Sequence, residues 1–191
     1  MAKADAARVP DHVRVYAVGD IHGRADLLRL LLEQIRSDSV AAPAGVDRRL
    51  IFLGDYVDRG ADSRGVLDLM LRGIPPGFTA SYLCGNHEDL LLRFIEAPQQ
   101  GLLFLRNGGD ATLRSYGVDA RSGDDLVALR DQFLAALPKA HLDFLRALAL
   151  QAVVGDYAFV HAGVRPGVPL PQQRSEEHTA ELQSRFGISY A

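Results

Sequence analysis

Short apolar runs alternate along this chain with stretches in which apolar residues recur at helical spacing. Buried β-strands are predicted for the continuous apolar runs at residues 13–18, 49–53, 80–84 and 157–160. Helices are predicted where apolar residues recur every three or four positions, at residues 25–38, 63–73, 87–97, 124–137 and 141–148. Strands that alternate with helices in this way indicate an α/β fold built from βαβ units.

The connections between these elements also have a recognisable pattern. The segment AVVGDYAFV, residues 152–160, predicts a β-hairpin, because Gly155 and Asp156 suit a two-residue turn that opens on glycine. The stretches 41–49 and 73–78 contain glycine and proline and are predicted to be loops. A length of 191 residues is enough for one domain with a sizeable core.

The composition narrows the classes of partner. Hydrophobic residues make up 48% of the chain and charged residues 24%, as in soluble globular proteins. The net charge of -3 gives no electrostatic reason to expect nucleic acid, which favours a basic face. Cys84 is the single cysteine, and no run approaches 18 apolar residues. We therefore expect a cytoplasmic protein that binds neither nucleic acid nor membrane.

Four polar clusters follow four of the predicted strands. They are GDIHG at 19–23, GDYVDRG at 54–60, GNHE at 85–88 and HAG at 161–163. Functional loops of open α/β sheets gather beyond the carboxyl ends of the strands, so these clusters should meet at one edge. They supply carboxylates, imidazoles and an amide, which suit Mn²⁺, Fe or Zn²⁺ better than a soft metal. The candidate ligands are Asp20, His22, Asp55, Asn86 and His161.

These clusters together resemble the signature of the calcineurin-like metallophosphoesterases. The resemblance is strongest to the phosphoprotein phosphatase branch, which includes bacterial serine/threonine phosphatases and diadenosine tetraphosphate hydrolases. It runs from about Val13 to Val168, and the segment LRNGGDATLRSYG at 105–117 is also similar to the bacterial members. The resemblance implies an α/β fold in which two β-sheets form a sandwich flanked by helices, with the C-terminal part of the fold missing.

The resemblance also implies a site with two metal ions, Mn²⁺ foremost, that hold a bridging hydroxide. Asp20 and His22 would bind the first ion, Asn86 and His161 the second, and Asp55 would bridge both. A bridging carboxylate is the natural way to hold two cations about 3.5–4 Å apart, where they can activate water for attack on phosphorus.

The remaining site residues would handle the proton and the phosphate. The resemblance implies that His87 is the general acid that protonates the leaving oxygen and that Asp58 orients it. An imidazole beside a carboxylate is a suitable proton donor near neutral pH. Arg59 would bind the phosphate through its planar guanidinium, and Asn86 would contribute to substrate binding.

Two further polar residues have ordinary structural explanations. His141 lies on a predicted amphipathic helix, so a structural role is expected. Glu88 opens a predicted helix, where the helix dipole favours a carboxylate in any case.

Three functions remain open from the sequence. The leading one is hydrolysis of phosphoserine or phosphothreonine in proteins. The second is hydrolysis of a dinucleoside polyphosphate such as diadenosine tetraphosphate, which would need a groove for two nucleosides. The third is an inactive truncated fragment that keeps the fold.

The last 18 residues, RSEEHTAELQSRFGISYA at 174–191, do not continue the alternation of strands and helices. They resemble the conceptual translation of a sequencing-library adapter. We therefore predict a metallophosphoesterase domain at 13–173, incomplete at its C-terminus, and a non-native tail at 174–191. The family has a further ligand histidine after His161, and the one match here, His178, lies in this tail and is not assigned.

Overall fold

Two β-sheets of different type form the centre of the fold. The structure is a computed structural model and describes residues 6–41, 43, 45–121 and 123–173. The larger sheet is parallel, with strands in the order β1 (Val13–Val18), β2 (Asp47–Phe52) and β3 (Phe78–Tyr82). The smaller sheet is an antiparallel pair of β4 (Gln151–Val154) and β5 (Tyr157–Val160).

One helix follows each parallel strand, and further helices come before the hairpin. The first three are α1 (Ala25–Val40), α2 (Ser63–Arg72) and α3 (Asn86–Glu96). They are followed by α4 (Leu102–Phe104), a π-helical turn at Leu105–Gly109 with a kink at Gly108, α5 (Asp110–Ser115), α6 (Leu126–Ala136) and α7 (Lys139–Arg146). Short 3₁₀ turns occupy Pro98–Gln100 and Leu170–Gln172. The predicted α/β class is confirmed.

The middle strand β2 is covered on both faces. Leu50 and Phe52 belong to the main core between the parallel sheet and the helices. Ile51 points the other way, into a smaller cluster with Leu83, which follows β3, and with Val154 of the hairpin sheet. A strand buried on both sides reads as a continuous apolar run, which is why its sequence does not alternate. The two sheets therefore share an apolar contact through β2.

The structure corrects the predicted loop at 41–49, because β2 already begins at Asp47. Backbone pairing explains the difference: Asp47 pairs with Val13 of β1, and Arg48 pairs with Phe78 of β3. The polar residues at this end of β2 are therefore held in the sheet by their neighbours rather than by their own burial. The third strand likewise ends at Tyr82 rather than at residue 84.

The predicted hairpin is confirmed. Val154 pairs with Tyr157, so Gly155 and Asp156 form a two-residue turn. Gly155 has φ +60°, the conformation that favours glycine at such a turn.

The predicted tail at 174–191, with His178, lies outside the described residues. Within residues 6–173, apart from positions 42, 44 and 122, no helix has the length and apolar character needed to cross a membrane.

His141 is part of a buried link between three helices. Its side chain is almost completely buried, and the Tyr116 hydroxyl lies 2.7 Å from Nδ1. Nε2 lies 3.3 Å from Oδ1 of Asp68, to which it donates if the ring is the neutral Nε2–H tautomer. Burial lowers the pKa of His141, although the charge and hydrogen bond of Asp68 oppose this effect. The ring is thus held neutral in the fold, in agreement with the expected structural role.

We expect His141 to weaken the fold at acid pH. Its pKa is lower in the folded than in the unfolded chain, so its contribution is fully present above the unfolded value of about 6.5 and is lost as pH falls through the folded value. Urea unfolding at pH 7.5 and 5.5 should therefore show a larger loss of stability for the original chain than for His141→Gln. His12→Gln, at an exposed histidine, is the control and should behave like the original chain.

Candidate active site

The first two polar clusters are joined through their backbones. The N–H groups of Ile21 and His22 both donate to the carbonyl oxygen of Asp55, each at 2.9 Å. The N–H of Gly23 donates to the carbonyl oxygen of Tyr56 at 2.8 Å. The loop after β1 therefore rests directly on the loop after β2, as expected where neighbouring parallel strands end at one edge of a sheet.

Asp55 lies at the centre of the site and presents one carboxylate oxygen to each side. Its Oδ2 is 3.6 Å from Nε2 of His22 and 4.0 Å from Nε2 of His87. Its Oδ1 is 3.3 Å from Nε2 of His161, which directly follows β5. Oδ1 of Asn86 is 3.0 Å from that same nitrogen of His161. Two groups of candidate ligands thus share a single carboxylate.

The structure brings all five predicted metal ligands together, with one addition. Asp20 is the most exposed of them, and its Oδ2 lies 4.0 Å from Nε2 of His22. Ligand atoms within 4.8 Å of one another occur in two groups, one formed by Asp20, Asp55 and His161 and the other by His22, Asp55 and His87. His87, predicted as a proton donor, is therefore also within reach of a metal ion.

His161 and His22 lie on either side of Asp55, and the Nε2 atom of each faces its carboxylate. Nδ1 of His161 lies 2.9 Å from the carbonyl oxygen of Leu53, and Nδ1 of His22 lies 2.9 Å from that of Val57. A carbonyl oxygen can only accept, so Nδ1 carries the proton and, in the neutral ring, Nε2 carries the lone pair. A lone pair that faces a carboxylate oxygen is favourable only when a proton or a metal ion lies between the two. This arrangement of carboxylate, imidazole and amide fits a divalent metal ion.

The electrostatics of the site also favour positive charge. Burial alone would lower the pKa of His161, but the hydrogen bond and negative charge of Asp55 outweigh it and raise that pKa. Burial would raise the pKa of Asp55, yet His161 and His87 hold it below its usual range. A cation that displaces the proton of His161 would gain the same attraction from Asp55.

His87 and Asp58 form a completely buried pair beside these ligands. Nδ1 of His87 lies 2.7 Å from Oδ2 of Asp58, and both side chains are 0% exposed. Burial raises the pKa of Asp58, although hydrogen bonds from His87 and Thr112 oppose this effect. Nε2 of His87 is also buried and has no hydrogen-bond partner among the described residues. The ring is thus held at one nitrogen, while the other faces Asp55 at 4.0 Å.

Arg59 lies at the exposed side of the site. One of its guanidinium nitrogens, Nη1, is 2.9 Å from Nε2 of His22, so the positive group faces the cluster of ligands. Its backbone N–H donates to the carbonyl oxygen of Gly108 at 3.1 Å, in the kinked turn between α4 and α5. The side chain is therefore next to the ligands while its backbone is held from another element.

The site residues share an unusual backbone conformation. Five non-glycine residues of the described chain have positive φ, and four of them belong to the site: His22, Asp55, Asp58 and Arg59. The left-handed region disfavours residues with a Cβ, and such strain is found where surrounding contacts hold it in place for function. The loops are thus held by tertiary contacts against their own local preference.

Glu88 supplies the main contact of this kind, and the sequence analysis missed it. Its Oε2 accepts from the N–H groups of Asp55 and Gly85, at 2.8 and 2.9 Å. Its Oε1 accepts from those of Tyr56 and Val57, at 2.7 and 3.2 Å. The side chain is 0% exposed, and burial together with the charge of Asp55 raises the pKa of Glu88 to about 7 against these four donors.

A carboxylate in the first turn of a helix is common, and its bond to the N–H of Gly85 is the ordinary local one. The signal that distinguishes Glu88 is its contact with a loop 31 to 33 residues earlier in the chain. No local pattern contains that information.

Two glycines of the polar clusters allow the loops to approach this closely. Gly54 has φ +111°, and a Cβ there would lie 2.6 Å from the backbone nitrogen of Gly85 and 2.9 Å from Nδ1 of His161. A Cβ on Gly85 would collide with the carboxylate and the backbone nitrogen of Asp55. Glycine at these two positions therefore leaves space beside the ligands that a side chain would fill.

Comparison with known proteins gives a consistent match. Residues 13–186 match the family described as Calcineurin-like phosphoesterase. A bis(5'-nucleosyl)-tetraphosphatase (symmetrical) of Methylococcus capsulatus is 34% identical over 152 residues, which are 80% of this chain and 44% of the relative. Serine/threonine-protein phosphatase 1 of Salmonella typhimurium is 36% identical over 115 residues, which are 60% of this chain and 48% of the relative. The chain thus spans less than half the length of these two relatives.

The fold has a counterpart among solved structures. A crystal structure of a protein assigned as a diadenosine tetraphosphatase superposes with a TM-score of 0.53 at 23% sequence identity. The match covers 87% of this chain and 61% of the other. At this identity the likeness concerns the fold alone.

We expect Glu88→Gln to destabilise the protein and to loosen the Asp55 loop. Glutamine replaces one acceptor oxygen with an NH₂ group, which would face two backbone donors and leave them unsatisfied. Each unsatisfied buried donor costs about 1–3 kcal/mol, so the free energy of unfolding should fall by at least that much. Urea unfolding measures the change. Glu96→Gln, at the exposed end of the same helix, is the matched control, and an equally small effect of both substitutions would contradict the role given to Glu88.

Proposed function

Because the chain belongs to the calcineurin-like phosphoesterase family, we propose that it hydrolyses phosphate monoesters, with phosphoserine or phosphothreonine in proteins as the substrate. The observation that carries the proposal is the position of Asp55, whose two oxygens face two separate groups of ligands. The cofactor in this proposal is a pair of divalent cations, Mn²⁺ foremost, with Fe or Zn²⁺ as alternatives that accept the same ligands.

Five residues hold the cations in this proposal. Asp20 and His22 would hold the first, Asn86 and His161 would hold the second, and Asp55 would offer a carboxylate oxygen to each. When bound, the two cations supply activated water at neutral pH and offset the negative charge of the phosphoryl oxygens. The carbonyl oxygens that hold each Nδ1 keep the two imidazoles in the tautomer that can bind a metal.

The phosphate group is held from the open side. Arg59 offers parallel N–H donors that match two phosphate oxygens, and it lies beside the ligands at His22. Asn86 adds an amide at the opposite group of ligands, 3.0 Å from His161. Together they orient the substrate so that its leaving oxygen faces His87.

His87 donates the proton that the leaving group needs. The phosphorus–oxygen bond to the leaving group breaks as the oxygen of water bonds to phosphorus. Nε2 of His87 gives its proton to the leaving oxygen, and the proton released by water restores the imidazolium. Asp58 holds Nδ1 at 2.7 Å and so keeps the donor in one orientation.

The reaction proposed here passes through no phosphorylated cysteine. Burial, together with the charges of Glu88 and Asp89, raises the pKa of Cys84 to about 12. A thiol with that pKa stays protonated at neutral pH and is a poor nucleophile. In this proposal water therefore attacks phosphorus directly.

A second candidate substrate is a dinucleoside polyphosphate. It is favoured by the relative from Methylococcus capsulatus, whose match covers 80% of this chain, more than the 60% matched by the protein phosphatase. Both substrates would use the same metal ligands and the same proton donor. A third candidate is a fragment that keeps the fold without activity.

The test of the proposed function combines metal content with turnover. With Mn²⁺ present, elemental analysis should find one firmly bound metal ion per chain and a second that binds weakly, because only Asp55, Asn86 and His161 are assigned to it. A phosphoserine peptide should be hydrolysed faster than diadenosine tetraphosphate. Asp55→Asn should lose both metal and turnover, whereas Asp47→Asn, at the exposed start of β2, should lose neither. The reverse preference would favour the dinucleotide, and protein that holds at most one metal ion and shows no turnover would favour the inactive fragment.

His87→Asn separates a proton donor from a metal ligand. If His87 donates the proton, the substitution should lower kcat by about 10²- to 10⁴-fold while metal content stays at the original level. Elemental analysis and steady-state kinetics on the same preparation measure both quantities. Parallel loss of metal would show that His87 is a ligand, as its place in the group with His22 and Asp55 also allows.

A further inference from the structure

The segment at 105–117 reaches the site from outside the four polar clusters. Gly108 accepts the backbone N–H of Arg59, as described above, and Thr112, on α5, is 0% exposed. The similarity of LRNGGDATLRSYG to bacterial phosphatases assigns no role to this segment. Within the site, the segment 105–117 contacts the loop that contains Asp58 and Arg59.

Thr112 is the second partner of the Asp58 carboxylate. Its hydroxyl donates to Oδ1 of Asp58 at 2.6 Å, while Oδ2 accepts from Nδ1 of His87 at 2.7 Å. Each oxygen of the carboxylate thus has its own partner, and all three side chains are completely buried. The carboxylate cannot rotate toward His87 or away from it without breaking the bond to Thr112.

The same hydroxyl also holds the backbone of Asp58. The N–H of Asp58 donates to Oγ1 of Thr112 at 2.8 Å and lies 3.1 Å from Oγ of Ser63. The two hydroxyl oxygens are 2.9 Å apart, so Ser63 can donate to Thr112 while Thr112 donates to Asp58. Asp58 has φ +71°, a conformation that its own side chain disfavours, so these outside contacts maintain it.

We propose that Thr112 is a positioning residue for hydrolysis, which orients Asp58 and, through it, the proton donor His87. The inference rests on the function proposed above. The route has two steps, from the Thr112 hydroxyl to Oδ1 of Asp58 and from Oδ2 to Nδ1 of His87. Its effect is to direct Nε2 of His87 toward Asp55, where the leaving oxygen would lie.

A merely structural threonine and a positioning threonine predict different kinetics. A misdirected proton donor slows the release of a poor leaving group more than that of a good one, because a good leaving group departs with little help from an acid. General loss of stability slows all substrates alike. The comparison of phenyl phosphate, a poor leaving group, with 4-nitrophenyl phosphate therefore distinguishes the two roles.

Thr112→Val removes the hydroxyl at nearly constant shape. We expect kcat for phenyl phosphate with Mn²⁺ to fall by about tenfold, the value of one hydrogen bond to a charged group, and kcat for 4-nitrophenyl phosphate to fall much less. KM should not change. Thr112→Ser, which keeps the hydroxyl, should restore most of the loss. Thr79→Val, at an exposed threonine of β3, is the control and should leave both rates unchanged.

A second measurement needs no activity. In metal-free protein, proton NMR should show the Nδ1–H of His87 far downfield, because of its short bond to buried Asp58, and this signal is identified by its absence in His87→Asn. Thr112→Val should shift or broaden the signal, and Thr112→Ser should preserve it. If Thr112→Val does not fold, Ser63→Ala, which removes the donor to Thr112, should give a smaller shift of the same signal.

The outcomes keep the two proposals separate. Equal loss of both rates in Thr112→Val, or an unchanged His87 signal in Thr112→Val and Ser63→Ala, overturns the role of Thr112. Failure of the original chain to hydrolyse either ester overturns the proposed function instead, and the NMR comparison still decides whether Thr112 positions His87.

Discussion

The carboxylate of Glu88 holds the backbone on which the rest of the site depends. It gathers N–H groups from Asp55, Tyr56 and Val57 on one loop and from Gly85 on another. A carboxylate with no exposure can remain there because four donors replace its lost water. The helix that begins at Asn86 is thereby attached to the loop that contains the shared ligand Asp55.

The strain at the site follows from that attachment. Asp55, Asp58 and Arg59 have backbones in the left-handed region. Hydrogen bonds from distant parts of the chain hold them there. Glu88 holds the start of this loop, and Thr112 and Gly108 hold its end. Each loop therefore takes its conformation from its neighbours, and a geometry with little local stability becomes the one that the fold requires.

The two sheets meet at the site as well as in the core. His161 follows the hairpin, yet its Nδ1 is bonded to the carbonyl oxygen of Leu53, beyond the end of β2. Its other nitrogen faces Asp55 and Asn86. Charge on one shared carboxylate thus connects segments more than 100 residues apart in the chain. The small apolar cluster around Ile51 already joins the two sheets. A cation bound at Asp55 would join them at a second place.

Features that depend on a local sequence pattern could be predicted from the sequence. The hairpin with Gly155 and the four clusters were predictable, because apolar runs, turn residues and ligand types lie close together in the chain. The start of β2 at Asp47 was not predictable, because pairing with two neighbouring strands extended it into polar residues. Glu88 and Thr112 were missed for a related reason. Their partners lie 31 to 54 residues away, and as isolated letters they are an ordinary helix-start acid and a core threonine.

The backbone of Arg59 has a consequence for how this protein would respond to selection for heat resistance alone. Glycine adopts φ +67° without the penalty of about 1 kcal/mol that a residue with a Cβ bears. The side chain is exposed, so its removal leaves no cavity. A library scored only by thermal survival would therefore tolerate glycine at this position and so lose the guanidinium. Thermal stability and phosphate binding have different requirements at this residue, so thermal survival is a poor measure of function there.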